Sequence, residues 1–351
     1  MIVAFLCSRC CFGFFGRSCL VCFVQAGQKN FQICSKFDLL CFVTHFMNKI
    51  SLNKYTLTNI AKLHSLGKGG YAEVFQGQHT SSGQLVALKE CEIDNYEGIS
   101  HSILREIFAM RSLSHPSILK LHNVDFFDET AHLILPYCSS DLHKLLKQRR
   151  LKLCEIRSIM RQLLQGVQYM HEKQVIHRDL KPQNILIEFE SQSEIIVKIA
   201  DFGLSRSICT QTANDYHYSL EVCTVWYRPP EILLGGAYTF AADLWSLGCL
   251  MAEMFFGKPL FPGKCDVNEV FLIFNALGTP SETNWRAGTH MENFDANIFP
   301  KWSRQPMHKI LQTAKVPPTR EALHLLRYLL EMDPKKRFTA KQALNHVYFA
   351  E

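Results

Sequence analysis

The chain has 351 residues, of which 47% are hydrophobic and 20% charged, the balance of a globular protein with a large core. The formal net charge is only +6, and the basic residues are scattered along the chain rather than clustered. Binding to nucleic acid or to a membrane surface is therefore the weaker interpretation. We find no internal repeat.

Residues 1–46 differ from the rest of the chain in composition. They hold 7 of the 14 cysteines and 9 of the 25 phenylalanines, with no sustained helical or strand period. Two Cys-x2-Cys pairs have the spacing of zinc ligands, but the surrounding phenylalanines and the lack of framing turns argue against a zinc site. Arg9 and Arg17 interrupt the apolar run, which argues against a signal peptide or a membrane span. We predict an upstream extension that is unstructured or not translated.

A glycine-rich segment lies at residues 66–74 and reads LGKGGYAEV. Glycines let backbone N–H groups approach phosphate oxygens without a Cβ in the way. The same pattern fits a Rossmann turn, but such a turn must open a helix, whereas residues 73–76 look extended. A Ser-Ser-Gly turn at 81–83 and an apolar run at 85–88 follow. The pattern therefore predicts a strand hairpin with a phosphate-binding turn.

Lys89 ends the apolar strand, and Glu106 follows seventeen residues later in a predicted helix. On that helix Glu106 shares a face with Ile103 and Met110. A carboxylate inside an apolar stripe is costly unless a cation meets it. We therefore predict an ion pair between Lys89 and Glu106.

Three further stretches predict helices. Apolar residues recur at helical spacing between 156 and 170, and we interpret that stripe as core. Residues 244–256 are apolar on every side, which is typical of a buried central helix. Residues 322–332 form a third helical pattern, expected to stop ahead of Pro334. Asp141 follows an apolar strand, where it fits a helix N-cap as well as a ligand-binding role.

The most informative stretch is HRDLKPQN at residues 177–184. It places Asp179, Lys181 and Asn184 in one loop at the Asp-x4-Asn spacing used in phosphoryl transfer. Asp179 could accept a proton from a substrate hydroxyl, Lys181 could meet the transferring group, and Asn184 could ligate magnesium. Asp201, in an Asp-Phe-Gly turn, is a second candidate metal ligand.

These motifs resemble those of cyclin-dependent kinases, Ser/Thr protein kinases of the CMGC group. The resemblance covers residues 55–349 and implies a two-lobed α+β kinase fold. It implies a small, mainly antiparallel β lobe with one key helix over about 55–137 and a larger, mainly helical lobe over about 138–349. Besides HRDLKPQN, the matching segments are KIADFGLSR (198–206), VWYRPPEILLG (225–235), DLWSLGC (243–249), LFPG (260–263), LGTP (277–280) and FPKW (299–302).

The resemblance also assigns roles to individual residues. It implies ATP and Mg²⁺ as cofactors, with Asp179 and Lys181 catalytic and Asn184 and Asp201 on the metal. Asp141 would hold the ribose, and Glu231 and Arg337 would form an ion pair. The ATP-binding residues would be Leu66, Gly67, Lys68, Gly69, Gly70, Tyr71, Ala72, Glu73, Val74, Ala87, Lys89, Glu106, Leu135, Pro136, Tyr137, Cys138 and Asp141.

Regulation is implied by the same resemblance. Ser219 matches an activating phosphorylation site, and Arg105, Arg178 and Arg206 match the clamp that would hold its phosphate. Tyr71, in the glycine-rich segment, matches an inhibitory site. A mitogen-activated kinase is the rival within the superfamily, but the tyrosine of its Thr-x-Tyr motif is replaced by Glu221.

Partners and setting follow from the family. The resemblance implies a cyclin-like regulatory subunit and protein substrates with serine or threonine followed by proline. It also implies a role in cell-cycle or transcription control, in the nucleus and cytoplasm. A catalytically weak scaffold that binds a cyclin-like partner is the alternative, but Lys89, Asp179 and Asp201 are all present.

Overall fold

The structure is a computed structural model, and it describes residues 55–68, 72–93, 99–190, 194–207 and 225–350. The prediction for residues 1–46 lies outside this part of the chain. The chain divides into two compact units. The first contains the described residues up to 112, residues 119–137 and residues 206–207, and the second contains residues 113–118 and the other described residues from 138 onward.

The first unit is built on a five-stranded antiparallel sheet with strand order β1-β2-β3-β5-β4. The predicted hairpin is present, since residues 73–76 and 85–88 lie in adjacent strands rather than in a helix. Val86, Leu88 and Ile134 are buried in one apolar cluster of this sheet. The strands are β1 (Ile60–Lys68), β2 (Ala72–His79), β3 (Leu85–Glu92), β4 (Asn123–Phe127) and β5 (Thr130–Pro136).

One helix, α1 (His101–Ser112), belongs to the first unit. Its apolar residues recur every three or four positions, so that Ile103, Ile107 and Met110 are buried together with Glu106. The predicted shared face of Glu106 is confirmed.

The second unit is mainly helical. Its small antiparallel sheet joins β6 (Ser140–Asp141), β8 (Ile185–Phe189) and β9 (Ile195–Ile199) in the order β6-β8-β9. Two further short strands of the chain are β7 (Val175–Ile176) and β10 (Arg206–Ser207). The helices of the second unit are α2 (Leu142–Gln148), α3 (Leu153–Glu172), α4 (Pro230–Leu233), α5 (Ala241–Phe256), α6 (Asp266–Leu277), α7 (Met307–Ile310), α8 (Arg320–Leu329) and α9 (Ala340–Leu344).

Helices α3 and α5 carry the core of the second unit. The predicted stripe of α3 is buried along its length, and α5 is buried on all sides from Ala242 to Phe255. Both helix predictions are confirmed. Together with the antiparallel sheet of the first unit, they confirm the α+β fold class. Among the described residues, no helix is both long and apolar enough to span a membrane.

One helix prediction was wrong at its end, because α8 stops at Leu329 rather than at residue 332. Other hydrogen bonds replace those that a longer helix would make. Arg304 Nη2 donates to the carbonyl of Arg327 at 3.0 Å, the acceptor that a helical Glu331 N–H would use, and the Met332 N–H donates to Glu331 Oε1 at 3.1 Å. The arginine comes from outside the helix, and the local sequence pattern does not show it.

Candidate active site

The predicted catalytic residues lie together in the loop between β7 and β8. Lys181 Nζ donates to Asp179 Oδ2 at 2.6 Å. Asn184 Nδ2 donates to the same oxygen at 3.0 Å and to the Asp179 carbonyl at 2.8 Å. A cation and an amide thus hold one oxygen of a half-buried carboxylate, which fixes its orientation before any substrate arrives.

His177 ties this loop to the segment that carries Asp201. The backbone N–H of Asp179 donates to His177 Nδ1 at 3.3 Å, so the proton of the neutral ring is on Nε2. Nε2 in turn donates to the carbonyl of Ala200 at 3.0 Å, and the Ala200 N–H donates to the carbonyl of Asn184 at 2.9 Å. The ring is fully buried and lies 4.9 Å from that of Phe202. Ala200, which directly precedes Asp201, is therefore bonded to His177 at one end of the loop and to Asn184 at the other.

Asp243, near the start of α5, binds the backbone of the catalytic loop. It was not among the predicted site residues. Its Oδ2 accepts from the His177 N–H at 3.0 Å and from His171 Nε2 at 2.8 Å, and its Oδ1 accepts from the Arg178 N–H at 2.9 Å. The signal that could have found it is an acid heading a helix that is otherwise apolar on every side, since such a buried carboxylate requires donors.

Opposing influences act on the Asp243 carboxyl. Its complete burial alone would raise its pKa. The hydrogen bond and charge of His171, with the N–H of Arg178, outweigh that effect and hold the pKa of Asp243 below its ordinary value. Asp243 is therefore ionised at neutral pH and accepts all three donors.

Two residues of the site have a backbone conformation that is uncommon for residues other than glycine. The φ angle is +75° at Arg178 and +64° at Asp201. Such conformations cost on the order of 1–3 kcal/mol each and persist where surrounding contacts impose them. The bond from the Arg178 N–H to Asp243 is one such contact, and the Arg178 guanidinium also lies 3.9 Å from the centre of the Tyr238 ring.

The chemistry of the loop fits magnesium bound together with phosphates. Among the described residues, no three His, Cys, Asp or Glu side chains converge as a self-sufficient metal site. Magnesium needs no such cage, because nucleotide phosphates and water complete its six oxygens around one or two protein ligands. Asn184 suits that use, since its amide nitrogen is occupied by Asp179 and its amide oxygen points the other way.

In the first unit, the predicted ion pair between Lys89 and Glu106 is present. Lys89 Nζ lies 2.7 Å from both carboxylate oxygens of Glu106. Lys89 sits in β3 opposite Val74 of β2 and Leu133 of β5, and Glu106 sits on the buried face of α1. The side chains are 17% and 6% exposed, so the pair is partly shielded from water.

The family model described as "Protein kinase domain" matches residues 60–349. The chain belongs to the protein kinase family. Membership of this family implies ATP and protein substrates as the reactants. The assignment of each residue to a role in ATP or metal binding stays a prediction.

The glycine-rich segment of the kinase is described on both sides of its turn. Leu66, Gly67 and Lys68 end β1, and Gly67 pairs with Val74 and Lys68 with Glu73 of β2. Glu73 accepts a hydrogen bond from Ser65 Oγ at 2.8 Å. The turn residues Gly69, Gly70 and Tyr71 lie outside the described residues, and so does the predicted inhibitory site at Tyr71.

The predicted adenine-binding segment follows β5. Ala87 pairs with Leu135, which is buried, and Val86 pairs with Pro136 at the end of the strand. Cys138 belongs to the second unit, where its thiol donates to Glu188 at 3.5 Å. Burial, followed by the charge of Glu188, raises the pKa of the Cys138 thiol to about 12, so the thiol stays protonated.

Asp141 has a structural role in the kinase. Its Oδ1 accepts from the backbone N–H of Lys144 at 2.8 Å and caps α2. Of the two alternatives left open by the sequence, the N-cap is therefore observed. The ribose contact stays a prediction.

The predicted phosphate clamp is divided among different parts of the structure. Arg105, on α1, donates from Nε to the carbonyl of His101 at 2.9 Å, and Arg206 begins β10. Arg178 is in the second unit, on the ring of Tyr238. Ser219 lies outside the described residues, so the clamp stays a prediction.

The ion pair between Glu231 and Arg337 is present and buried. Arg337 Nη1 and Nη2 donate to the two carboxylate oxygens at 2.7 and 2.9 Å, in the bidentate geometry that suits guanidinium. The pair joins α4 to the chain after α8 and lies against Trp245.

Proposed function

We propose that the chain is an active Ser/Thr kinase of the cyclin-dependent type. The observation that carries the proposal is the carboxylate of Asp179, held by Lys181 and Asn184 in the loop of a protein kinase domain. A scaffold without activity would have no need of this oriented carboxylate.

In the proposed reaction, the oxygen of the substrate hydroxyl bonds to the γ-phosphorus while Asp179 takes the proton of that hydroxyl. The bond from that phosphorus to the β,γ-bridging oxygen breaks, and ADP leaves with the electron pair. Lys181 balances charge on the transferring group, and Lys89, positioned by Glu106, holds the α- and β-phosphates. Magnesium, held by Asn184 and Asp201, would neutralise charge on the phosphates.

The preference for serine or threonine followed by proline is supported by the segment after the activation site. The choice of serine or threonine over tyrosine is supported separately by Lys181, because a lysine two residues after the catalytic aspartate is typical of Ser/Thr kinases. Trp226 Nε1 donates to the carbonyl of Gly263 at 2.8 Å, and the Tyr227 hydroxyl donates to Glu253 at 2.6 Å. A segment held at both residues is rigid enough to select its substrate by shape.

A cyclin-like partner is proposed from α1. The helix carries Glu106, so a subunit that binds α1 would control the contact with Lys89. We expect the isolated chain to be nearly inactive in phosphorylating a Ser-Pro peptide and to gain activity when a cyclin-like subunit is added. Full activity of the isolated chain would contradict this part of the proposal.

Two phosphorylation sites would adjust that activity. A phosphate on Ser219 carries about −1.5 to −2 charge and would recruit Arg105, Arg178 and Arg206. A phosphate on Tyr71 would repel the phosphates of ATP. We expect S219A to lower and Y71F to raise activity in cells, and silent variants would exclude each site in turn.

The decisive experiment changes Asp179 to Asn, which preserves size while removing the proton acceptor. We expect phosphorylation of a Ser-Pro peptide by the partner-activated chain to fall by about 10²- to 10⁴-fold, with the melting temperature unchanged. The matched control is Asp128→Asn, an exposed aspartate of the first unit, which should retain full activity. Near-normal activity of Asp179→Asn would overturn the assignment, and an inactive wild-type chain that still binds ATP would identify a scaffold instead.

A further inference from the structure

A groove of about 650 Å³ lies in the second unit beside α7 and α8, and none of its lining residues belongs to the catalytic loop. Five of the lining residues carry or can carry positive charge, and one lining residue, Glu321, is acidic. This volume lies within the range of about 300–1,000 Å³ that is typical of ligand-binding clefts.

The positive groups converge from two helices. Arg320, His324 and Arg327 are exposed and follow one another at spacings of four and three on α8, so they share one face. His308 is exposed on α7, at the other side of the groove. The fifth group, Arg304, already pairs with Glu331 at 2.7 Å and so contributes less to a ligand.

A relay of hydrogen bonds makes His324 a donor. The Tyr348 N–H donates to His346 Nδ1 at 3.1 Å, so the proton of the neutral His346 ring is on Nε2. His346 Nε2 lies 2.7 Å from His324 Nδ1 and donates to it, which puts the His324 proton on its own Nε2. Burial lowers the pKa of the His346 ring, which favours the neutral form that this relay requires. His324 therefore presents an N–H donor from the arginine-bearing face.

The groove also has an apolar wall. Val347 is 59% exposed, Leu323 is half-buried, and Met307 is buried at the start of α7. An inorganic anion gains nothing from contact with these apolar side chains, whereas an apolar side chain of a peptide can bury them. Exposed apolar surface rimmed by charge is typical of a protein-binding site.

We propose that this groove binds a short acidic segment of a protein partner. Carboxylates of the segment accept from Arg320, Arg327 and His324, and an apolar side chain packs on Val347 and Leu323. Charge complementarity favours an acidic partner, and bidentate arginine contacts set its register. Such a surface would recruit a substrate or regulator without using the catalytic residues, and so goes beyond the proposed kinase activity.

The test measures binding of a fluorescent synthetic peptide, rich in glutamate with one central phenylalanine, to the full chain. Fluorescence anisotropy should show saturable binding that weakens as salt is added. Replacing the glutamates by lysine should abolish it, and replacing the phenylalanine by serine should weaken it. A homopolymeric RNA of uridine, added as competitor, should not displace the peptide.

Variants locate the site. The double variant Arg320→Glu, Arg327→Glu should weaken binding by about tenfold, because two exposed attractive contacts become repulsive. The matched control, Lys301→Glu with Lys335→Glu, makes the same charge change at exposed lysines outside the groove and should alter binding less than about twofold. Val347→Ser tests the apolar wall without changing charge.

Three outcomes of the peptide and charge tests would overturn the proposal. They are no saturable binding of the glutamate peptide, an equal loss in the lysine control, and displacement by the RNA, which would identify a nucleic-acid site. Melting curves and phosphorylation of an unrelated peptide should be the same for all variants. A loss of folding in the arginine variant would leave Val347→Ser to decide, and unchanged binding there would also overturn the proposal.

Discussion

Two ion pairs of the kinase, one in each unit, differ in how they are held. Arg337 and Glu231 are 0% and 3% exposed, and Arg337 also donates to the carbonyls of Ala241, Glu331 and Met332. Lys89 and Glu106 are more open, and their contact is made by a single ammonium group. Guanidinium presents several fixed donors, whereas ammonium is a point charge on a flexible stem.

The difference separates a contact that builds the fold from one that can be made and broken. Removing a partner from a fully buried pair leaves an uncompensated charge in the core. The Lys89 side chain is 17% exposed, so water can hydrate its ammonium group when the pair opens. The pair between Lys89 and Glu106 therefore suits control by a partner that binds α1, whereas the pair between Glu231 and Arg337 suits a permanent role in the fold.

The largest expected effect comes from breaking the permanent pair. We expect Arg337→Met to lower the free energy of unfolding by about 3–5 kcal/mol, because Glu231 loses its counter-charge inside the second unit. Urea unfolding of the full chain measures it. The control is Arg286→Met, in a surface pair with Glu282 whose side chains are largely exposed, which should cost less than about 1 kcal/mol. Equal effects of the two variants would remove the distinction between the pairs.

Glu106→Gln tests the other side of the comparison. We expect activity with a peptide substrate to fall by about 10- to 100-fold, because Lys89 loses the charge that positions it. The melting temperature should stay close to that of the wild type, and exposed Glu92→Gln should leave both quantities unchanged. A loss of stability as large as that of Arg337→Met would show that this pair also builds the fold.

Local pattern was sufficient for much of this fold. The spacing of Ile103, Glu106 and Met110 predicted α1 and its buried face, and the stripe of α3 was equally clear. The loop of Asp179, Lys181 and Asn184 was predictable because its members are at most five positions apart, so the backbone alone brings them near one another.

Contacts between distant segments were not predictable in the same way. Asp243 reaches the loop from 64 residues beyond Asp179, and only the packing of α5 under the loop brings its oxygens to the backbone N–H groups. Likewise α8 ends where Arg304, from another segment, donates to the Arg327 carbonyl that a longer helix would use. Asp141 shows a third limit, since one short acid fits a cap and a ligand contact equally well until the helix is seen.

A smaller effect is expected from two buried acids, one in α5 and one in α6. Glu269 accepts from the Gly263 N–H at 2.7 Å, yet burial raises the pKa of its carboxyl to about 8. Burial also raises the pKa of Glu253 to about 7, against the hydrogen bond from Tyr227. Above pH 4.5, up to about pH 7 for Glu253 and about pH 8 for Glu269, each carboxyl is protonated in the folded chain but ionised in the unfolded chain.

The contribution of these two acids to stability should therefore fall as the pH rises. The folded state binds more protons than the unfolded state between the ordinary pKa of glutamate, 4.5, and about 8, so the free energy of unfolding decreases across that interval. We expect Glu269→Gln to flatten the decrease by about 1–3 kcal/mol, measured by urea unfolding at several pH values. Glu282→Gln, at an exposed site, is the control. A pH dependence of Glu269→Gln equal to that of the wild type would contradict the raised pKa of this carboxyl.

The smallest effect separates the two roles of Asp141. Serine caps a helix about as well as aspartate but is too short to reach a ribose, so Asp141→Ser should melt like the wild type. If Asp141 also binds the ribose hydroxyls, the KM for ATP should rise by about tenfold, the value of a hydrogen bond to a charged group. Asp141→Ala should in addition lose about 1 kcal/mol of stability, as should Thr319→Ala at the N-cap of α8, without any change in KM for the latter. An unchanged KM in Asp141→Ser would leave this carboxylate among the contacts that only build the second unit.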